Sequence, residues 1–380
     1  MLTFKENKNA LTLGVEMELQ VLDKDSLQLV PRASEIMEKI PGNKLAKEMF
    51  RSTIELVTGI CSTVSEISAD LRNTVSQVRE VGHQLGLRFA GTGTHPFADY
   101  TDRIISAGQR YHELLDRNQW IIRRMSVYGL HIHIGMRNGD ECIRFNNFFL
   151  RFVPHFIALS GSSPFWRGHD TGLSSVRPTM YESQPISGMP TYTDDWKSFV
   201  ELYNALLQTG SIQSMKDIWW DLRPSPGYGT LELRMCDGTA TLDELDAITA
   251  FAHMLAHWFH DNGREYFESH VYRPERWILR ENKWRVIRFG TDAELIDHDT
   301  LEVKSFRLIM LDWLEKLKPY SEKLGYFQHF QRLLKILHQG NSSARQRSIL
   351  DPTKDHTPAG ISEESLQKVL KLNVQEMEVE

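Results

Sequence analysis

The chain has 380 residues, 41% of them hydrophobic and 25% charged, a composition that excludes disordered and collagen-like classes and leaves ample length for a buried core. Forty-four basic against fifty acidic side chains give a net charge of −6, so no overall positive field is available to hold nucleic acid or anionic lipid, and neither partner is expected. The first residues, MLTFKENKNALTLGVEMEL, lack the pattern of a secretory signal. The longest stretch free of Asp, Glu, Lys and Arg, Phe152 to Trp166, is too short and too polar to span a bilayer. Cys61, Cys142 and Cys236 are an odd number with no C-x-x-C pair, which fits reduced, buried thiols; together these features predict a cytoplasmic protein.

Taken in chain order, the clearest strand is Thr12 to Val21, where Leu13, Val15, Met17, Leu19 and Val21 alternate with Thr12, Gly14, Glu16, Glu18 and Gln20. A shorter strand is predicted over Thr53 to Thr58. Helical spacing follows from Ile67 through Leu71, Val75, Val78 and Leu85, then a strand over Arg88 to Thr92, a helix around Tyr111 to Met125 and a strand over Leu130 to Met136. A helix over Trp196 to Leu207 precedes the strand Thr230 to Cys236. Thr241 and Glu244 form a capping box that starts a helix through Leu245 to Phe259, with Gly263 as its stop. No strand-helix-strand rhythm is present, so the expected class is α+β with a largely antiparallel sheet. Beyond Leu301 the pattern is wholly helical: Phe306, Ile309, Trp313, Leu314 and Leu317 form one stripe, and Leu324, Phe330, Leu333, Leu334 and Leu337 the next. These stripes suit either packing on the sheet or a homodimer. Residues 1–340 are read as a single catalytic domain with a helical hairpin from about 300. Residues 341–380, rich in Ser, Pro, Asp and Thr, are read as a weakly ordered extension.

Chemistry concentrates on the polar faces of three strands. Glu16 and Glu18, His131 and His133, and Glu232 and Arg234 each stand at i and i+2, opposite clean apolar alternations. Any one pair is what a solvated face or a local ion pair also shows; the three together predict a charged floor. Glu55 adds a strand carboxylate, and Glu48 lies shortly before it. Carboxylates outnumber imidazoles and no cysteine pair is present, a donor mix that suits Mg²⁺ or Mn²⁺ more than structural zinc. Several carboxylates with a few arginines are what phosphoryl transfer from ATP requires. Arg223, in Asp221-Leu-Arg-Pro224, could reach an anionic substrate beside Glu232. The Asp170 to Arg177 segment has the character of a loop that closes over a ligand, and Arg285, Arg345 and Arg347 are further cations.

Gly14-Val-Glu-Met-Glu18, Glu55-Leu-Val-Thr58, Gly93-Thr-His-Pro-Phe97, Gly129-Leu-His-Ile-His-Ile-Gly135, Asp170-Thr-Gly-Leu-Ser-Ser175, Asp221-Leu-Arg-Pro224, Gly229-Thr-Leu-Glu-Leu-Arg234 and Glu281-Asn-Lys-Trp-Arg285 occur in an order that resembles bacterial type 2 glutamate-cysteine ligases, also called ATP-dependent carboxylate-amine ligases. The resemblance runs from about residue 10 to 347. It implies a glutamine synthetase-like catalytic fold, a curved antiparallel sheet with helices on one face. It implies Glu16, Glu18, Glu48, Glu55, His131 and Glu232 as metal ligands, Arg234 at the transferred phosphate, and Arg177, Arg223 and Arg285 as substrate or phosphate contacts. The implied reaction activates a carboxylate, the γ-carboxylate of glutamate, as an acyl phosphate that the amine of cysteine or another acceptor attacks; Glu55 and His133 are the candidate bases.

Two other readings compete. A metal-dependent amidohydrolase also opens on H-x-H, but it predicts alternating strands and helices closed into a barrel. A catalytically silent relative would bind nucleotide or metabolite through the same residues.

Overall fold

The computed structural model describes residues 2–270, 274–351, 355 and 360–378. Its main sheet contains β1 (Leu13–Asp23), β2 (Leu45–Lys47), β3 (Thr53–Val57), β4 (Leu87–Ala90), β5 (Gly129–Gly135), β6 (Leu222–Ser225) and β7 (Thr230–Asp237). The order is β6-β7-β5-β1-β3-β2, with β4 also on β1, and every pairing is antiparallel. That pattern is the α+β arrangement expected from the sequence and has no place for the parallel barrel of an amidohydrolase.

Alternation sets the two faces. Leu13, Val15, Met17 and Leu19 of β1, Leu130, Ile132 and Ile134 of β5, and Leu231 and Leu233 of β7 point into one core. Covering it are α1 (Val64–Gln84), α3 (Gly139–Phe149), α4 (Val153–Ser160) and α7 (Leu242–Ser269), with α2 (Gln109–Arg123), α5 (Arg177–Glu182) and α6 (Trp196–Gln208) elsewhere along the chain. Thr63 caps α1 and Thr241 caps α7, each hydroxyl accepting the N–H three residues on, from Glu66 at 3.2 Å and Glu244 at 3.1 Å. Gly263 does not stop α7. A Cβ there would run into the Phe259 ring, which stacks on Phe148 at 4.2 Å, so the glycine serves packing inside the helix.

After α8 (Arg276–Phe289), the stripes beyond Leu301 form the predicted hairpin of α9 (Phe306–Leu324) and α10 (Phe327–Gln339). Phe306, Trp313, Leu314, Leu317, Leu333 and Leu337 are buried against α7 and the common core, so packing within the chain accounts for them. The expectation of weak order after residue 340 is corrected by α11 (Ser342–Arg347) and α12 (Glu363–Glu378). Leu366, Val369, Leu370, Val374 and Met377 recur at helical spacing and are buried, with α12 packed on β4. The Ser- and Pro-rich approach to that stripe masked it in the sequence. The part of that reading falling on residues 352–354, 356–359 and 379–380 lies outside the described residues. Among the described residues no helix is long and apolar enough to cross a membrane. Cys61, Cys142 and Cys236 are all buried and free.

Candidate active site

Strand register assembles the polar face. Glu16 on β1 stands beside His131 on β5; Glu18 stands opposite Glu55 on β3; Glu232 on β7 stands between His133 on β5 and Arg223 on β6. Neighbouring strands lie about 4.8 Å apart, so residues in register on one face meet. Two clusters result, Glu16 with His131 and Glu232, and Glu18 with Glu48 and Glu55, each offering ligand atoms within 4.8 Å of one another. Glu48 follows β2, where Ser106 Oγ donates to its backbone carbonyl at 2.6 Å.

The first cluster is matched by cations of the protein itself. Glu16 Oε2 lies 3.0 Å from His131 Nδ1 and its Oε1 lies 3.3 Å from His133 Nε2. Burial alone would raise the Glu16 pKa, but both imidazoles hold the carboxyl far below its ordinary range. Glu232 is almost wholly buried and takes Arg223 in a forked contact, Nε and Nη2 donating at 3.0 and 2.8 Å to Oε2, while Arg234 Nη1 donates to Oε1. Its burial is likewise outweighed by Arg223, Arg234 and His133, which keep it ionised. Burial and Arg234 push His131 down to about 4, leaving a neutral ring with its buried Nε2 unpartnered among the described residues. His133 is shifted upward: burial opposes its charge, and Glu232 and Glu16 prevail; its Nδ1 meets Thr230 Oγ1 at 2.9 Å.

In the second cluster carboxylates face one another. Gly129 N–H donates to Glu18 at 2.6 Å, yet burial and the Glu48 charge push Glu18 up to about 8. Burial, then Glu48, Glu16 and Glu18, raise Glu55 well above its ordinary value, and Glu48 is raised chiefly by burial.

Arg177 is buried, lies 4.6 Å over the Tyr181 ring and donates to the Arg234 carbonyl at 3.2 Å. Gly129 is required beneath it, since a Cβ there would collide with the guanidinium. The pairing of β7 with β5 shifts register between Leu233 and Cys236, a bulge at the position that carries Arg234. Arg285 is not brought to this face. It bonds Glu281 on its own helix at 2.9 Å and lines a surface groove with Trp284, Phe289 and Val303. Two residues earlier, about 200° around the helix, Lys283 points inward. Its buried ammonium reaches Asp221 at 2.5 Å and Glu182 at 2.6 Å, and the Asp221 carbonyl accepts the Arg234 N–H at 2.8 Å. One lysine therefore joins α5, which carries Arg177, to the hairpin of Arg223 and Arg234. Sequence reading passed over it although Glu281-Asn-Lys-Trp-Arg285 contains it. Arg345 and Arg347 are clamps, on Glu244 and Glu376 at 2.7 Å each, and on Asp170 at 2.5 and 3.0 Å.

A cavity of about 510 Å³ opens beside the first cluster, lined by Glu16 and His133 together with Lys5, Lys8, Ile60 and Tyr228. Tyr228 meets His133 edge-on at 5.9 Å, and no sequence periodicity points to Lys5 or Lys8. The donor set fits a hard divalent cation such as Mg²⁺ or Mn²⁺. It supplies clustered carboxylates and one neutral imidazole whose outer nitrogen is anchored on Glu16 while the inner one has no protein partner among the described residues.

The family model of glutamate-cysteine ligase family 2 (GCS2) matches residues 12–371. A Bdellovibrio bacteriovorus protein provisionally named glutamate-cysteine ligase 2 is 40% identical over 347 residues, 90% of each chain. A Thermobifida fusca protein of the same provisional name is 39% identical over 355 residues, 91% of this chain and 88% of the other. Glutamate-cysteine ligase of Francisella tularensis, solved in complex with AMP, superposes with a TM-score of 0.70 at 14% identity, covering 98% of this chain and 90% of that one. The Pasteurella multocida bifunctional glutathione synthetase gives 0.65 at 16%, covering 97% of this chain and 52% of that one. These superpositions place the sheet and its helices in the glutamine synthetase-like fold. With a match across nearly its whole length and relatives near 40% identity over nine tenths of it, the chain belongs to glutamate-cysteine ligase family 2.

Proposed function

We propose that the protein is an ATP-dependent ligase that activates the γ-carboxylate of glutamate and joins it to an amine, cysteine or another acceptor. The observation that carries this reading is the pairing of two carboxylate clusters with buried Arg177 and the largely covered Arg223 and Arg234 on one face of an antiparallel sheet. Family membership supports the ligase class, and the AMP complex of the Francisella tularensis neighbour supports ATP as the nucleotide.

In the first step an oxygen of the substrate carboxylate attacks the γ-phosphorus of ATP, the bond to ADP breaks, and an acyl phosphate forms. In the second the ammonium gives up one proton to become a free amine, its nitrogen attacks the acyl carbon, and phosphate leaves as the nitrogen sheds a second proton, which the phosphate or solvent takes. Mg²⁺ or Mn²⁺, held by Glu16, His131 and Glu232 and by Glu18, Glu48 and Glu55, would supply charge neutralisation at the phosphate oxygens. Arg234, fixed by Glu232 and by the bulge, stabilises the transferred phosphoryl group; Arg223 and Arg177 hold substrate carboxylate or phosphate. Glu55 and His133 are the candidate acceptors for the ammonium proton. A fixed cation pair costs no reorganisation as charge develops, which is why arginines anchored on a buried carboxylate suit this chemistry.

The test is phosphate release from ATP and Mg²⁺ with glutamate, with and without a panel of amines including cysteine, beside Glu16→Ala. Amine-stimulated release that the substitution abolishes is expected. Nucleotide binding without release for any carboxylate and amine pair would favour the silent relative instead.

A further inference from the structure

On the apolar side of the sheet, away from both carboxylate clusters, a cavity of about 550 Å³ opens between the start of α4, the end of α7, the 294–304 segment and α9. Its deep end carries Arg151 and His155, only 6% and 5% exposed and one helical turn apart. Arg151 Nη1 donates to the Tyr266 hydroxyl at 3.0 Å and the guanidinium lies 5.3 Å from that ring's centroid. Arg151 Nε and Nη2, both ring nitrogens of His155 and Nδ1 of His298 are buried and have no hydrogen-bond partner among the described residues. Native proteins rarely leave buried polar nitrogens unpaired, and here several belong to three residues that line one cavity.

No acid of the wall hydrogen-bonds these nitrogens among the described residues. Asp297 folds back on its own turn, accepting the N–H groups of Asp299 and Thr300 at 2.9 Å each. Asp312 pairs with Lys316 at 2.8 Å on the exposed rim. Asp299 makes a long ion pair with Arg151 at 3.9 Å, beyond hydrogen-bond reach. The rest of the lining combines apolar Phe152, Leu295, Ile309 and Trp313 with His270, Asn282 and the half-exposed Lys304 and Lys316. A planar guanidinium fork beside imidazole donors matches the two oxygens of a carboxylate, and a single buried arginine balances one negative charge better than the two of a phosphate.

We propose that this cavity binds a small organic monocarboxylate, its two oxygens on Arg151, His155 and His298 and its apolar body against Phe152 and Trp313. This assignment stands whether or not the ligase reading holds. Calorimetric titration of the intact protein with phenylacetate, phenylacetamide and inorganic phosphate tests it. Saturable phenylacetate binding is expected, at least ten-fold tighter than that of the amide or of phosphate, unchanged in Glu16→Ala and weakened ten-fold or more in His298→Gln and in Arg151→Gln. Equal binding of acid and amide, absence of saturation, preference for phosphate, or binding that survives His298→Gln would overturn it. Loss of binding in Glu16→Ala would overturn it too, by assigning the carboxylate to the catalytic face. His298 lies in a loop and keeps the test decisive if Arg151→Gln fails to fold.

Discussion

The two carboxylate clusters share one sheet face, one strand apart, yet their electrostatics are opposite. Glu16 and Glu232 are held ionised by His131, His133, Arg223 and Arg234, so that half of the site carries its counter-charges in the fold. Glu18, Glu48 and Glu55 make no ion pair among the described residues; burial, with Glu48 acting on Glu18 and neighbouring carboxylates on Glu55, outweighs the nearby Arg177, Arg234 and Arg110 and raises all three, Glu18 to about 8. On the reading proposed above, a cation held by the first half would sit beside the arginines that meet the phosphate, and a cation at the second would relieve carboxylates that have no ion pair of their own among the described residues. Family membership supports the ligase class, and on the proposed reading, in which ATP binds with divalent ions, both halves take part.

The largest break in that contrast is expected at Glu232. Glu232→Ala leaves Arg223 and Arg234 buried without their shared carboxylate, and truncating one partner of a buried ion pair costs about 3–5 kcal/mol. Chemical denaturation should show that loss with or without Mg²⁺, together with loss of phosphate release. Next comes Lys283→Met, which strands Asp221 and uncouples Glu182; we expect about 2–4 kcal/mol. Because Lys283 positions the arginines without lining their face, KM for the anionic substrate should rise while the response to Mg²⁺ persists. A Lys283→Met enzyme with unchanged KM would sink the positioning role.

A control outside both clusters comes from His95, buried with Nε2 3.0 Å from the Leu27 carbonyl and Nδ1 accepting the Ala98 N–H at 2.9 Å. Burial lowers its pKa from 6.5 to about 4. Between those values the unfolded chain holds the extra proton, so stability is full above 6.5 and falls as pH drops toward 4, by about 1.4 kcal/mol per pH unit. His95→Gln should flatten that limb, and Mg²⁺ should leave it unchanged. For the cation-receiving half, Glu55→Gln removes one repelling charge. In EDTA it should stabilise the protein by about 1 kcal/mol, while the gain in Tm on adding Mg²⁺ shrinks. Destabilisation in EDTA would show that Glu55 is already compensated by the fold.

Much of this was legible in the sequence, for a physical reason. Strand alternation is a local property, so Glu16, Glu18, His131, His133, Glu232 and Arg234 could be assigned to polar faces from spacing alone. What spacing lacks is register. That Glu18 meets Glu55 while Glu16 meets His131, which splits one charged floor into two clusters, follows only from which strands pair. Nor does local pattern reveal a long-range partner. Arg177 lies against Gly129, and Lys283 reaches Asp221, through contacts between distant segments. The α12 stripe was local and readable, but the composition before it drew the eye to disorder.

The smallest expected effect comes from the misread position on α8. Arg285 was a plausible phosphate contact because it is an arginine in a distinctive motif. Helix geometry instead sends it outward, to Glu281 at 2.9 Å and to the Glu294 carbonyl at 3.2 Å, while Lys283 takes the inward face. Arg285→Ala should therefore cost no more than about 0.5 kcal/mol, the ordinary yield of a surface pair within one helix turn, and leave kcat and KM unchanged. Measured beside Lys283→Met, it separates a motif's visible charge from its working one. A rise in KM for Arg285→Ala alone would mean that α8 presents its outer face to substrate, and the division between the two residues would have to be reversed.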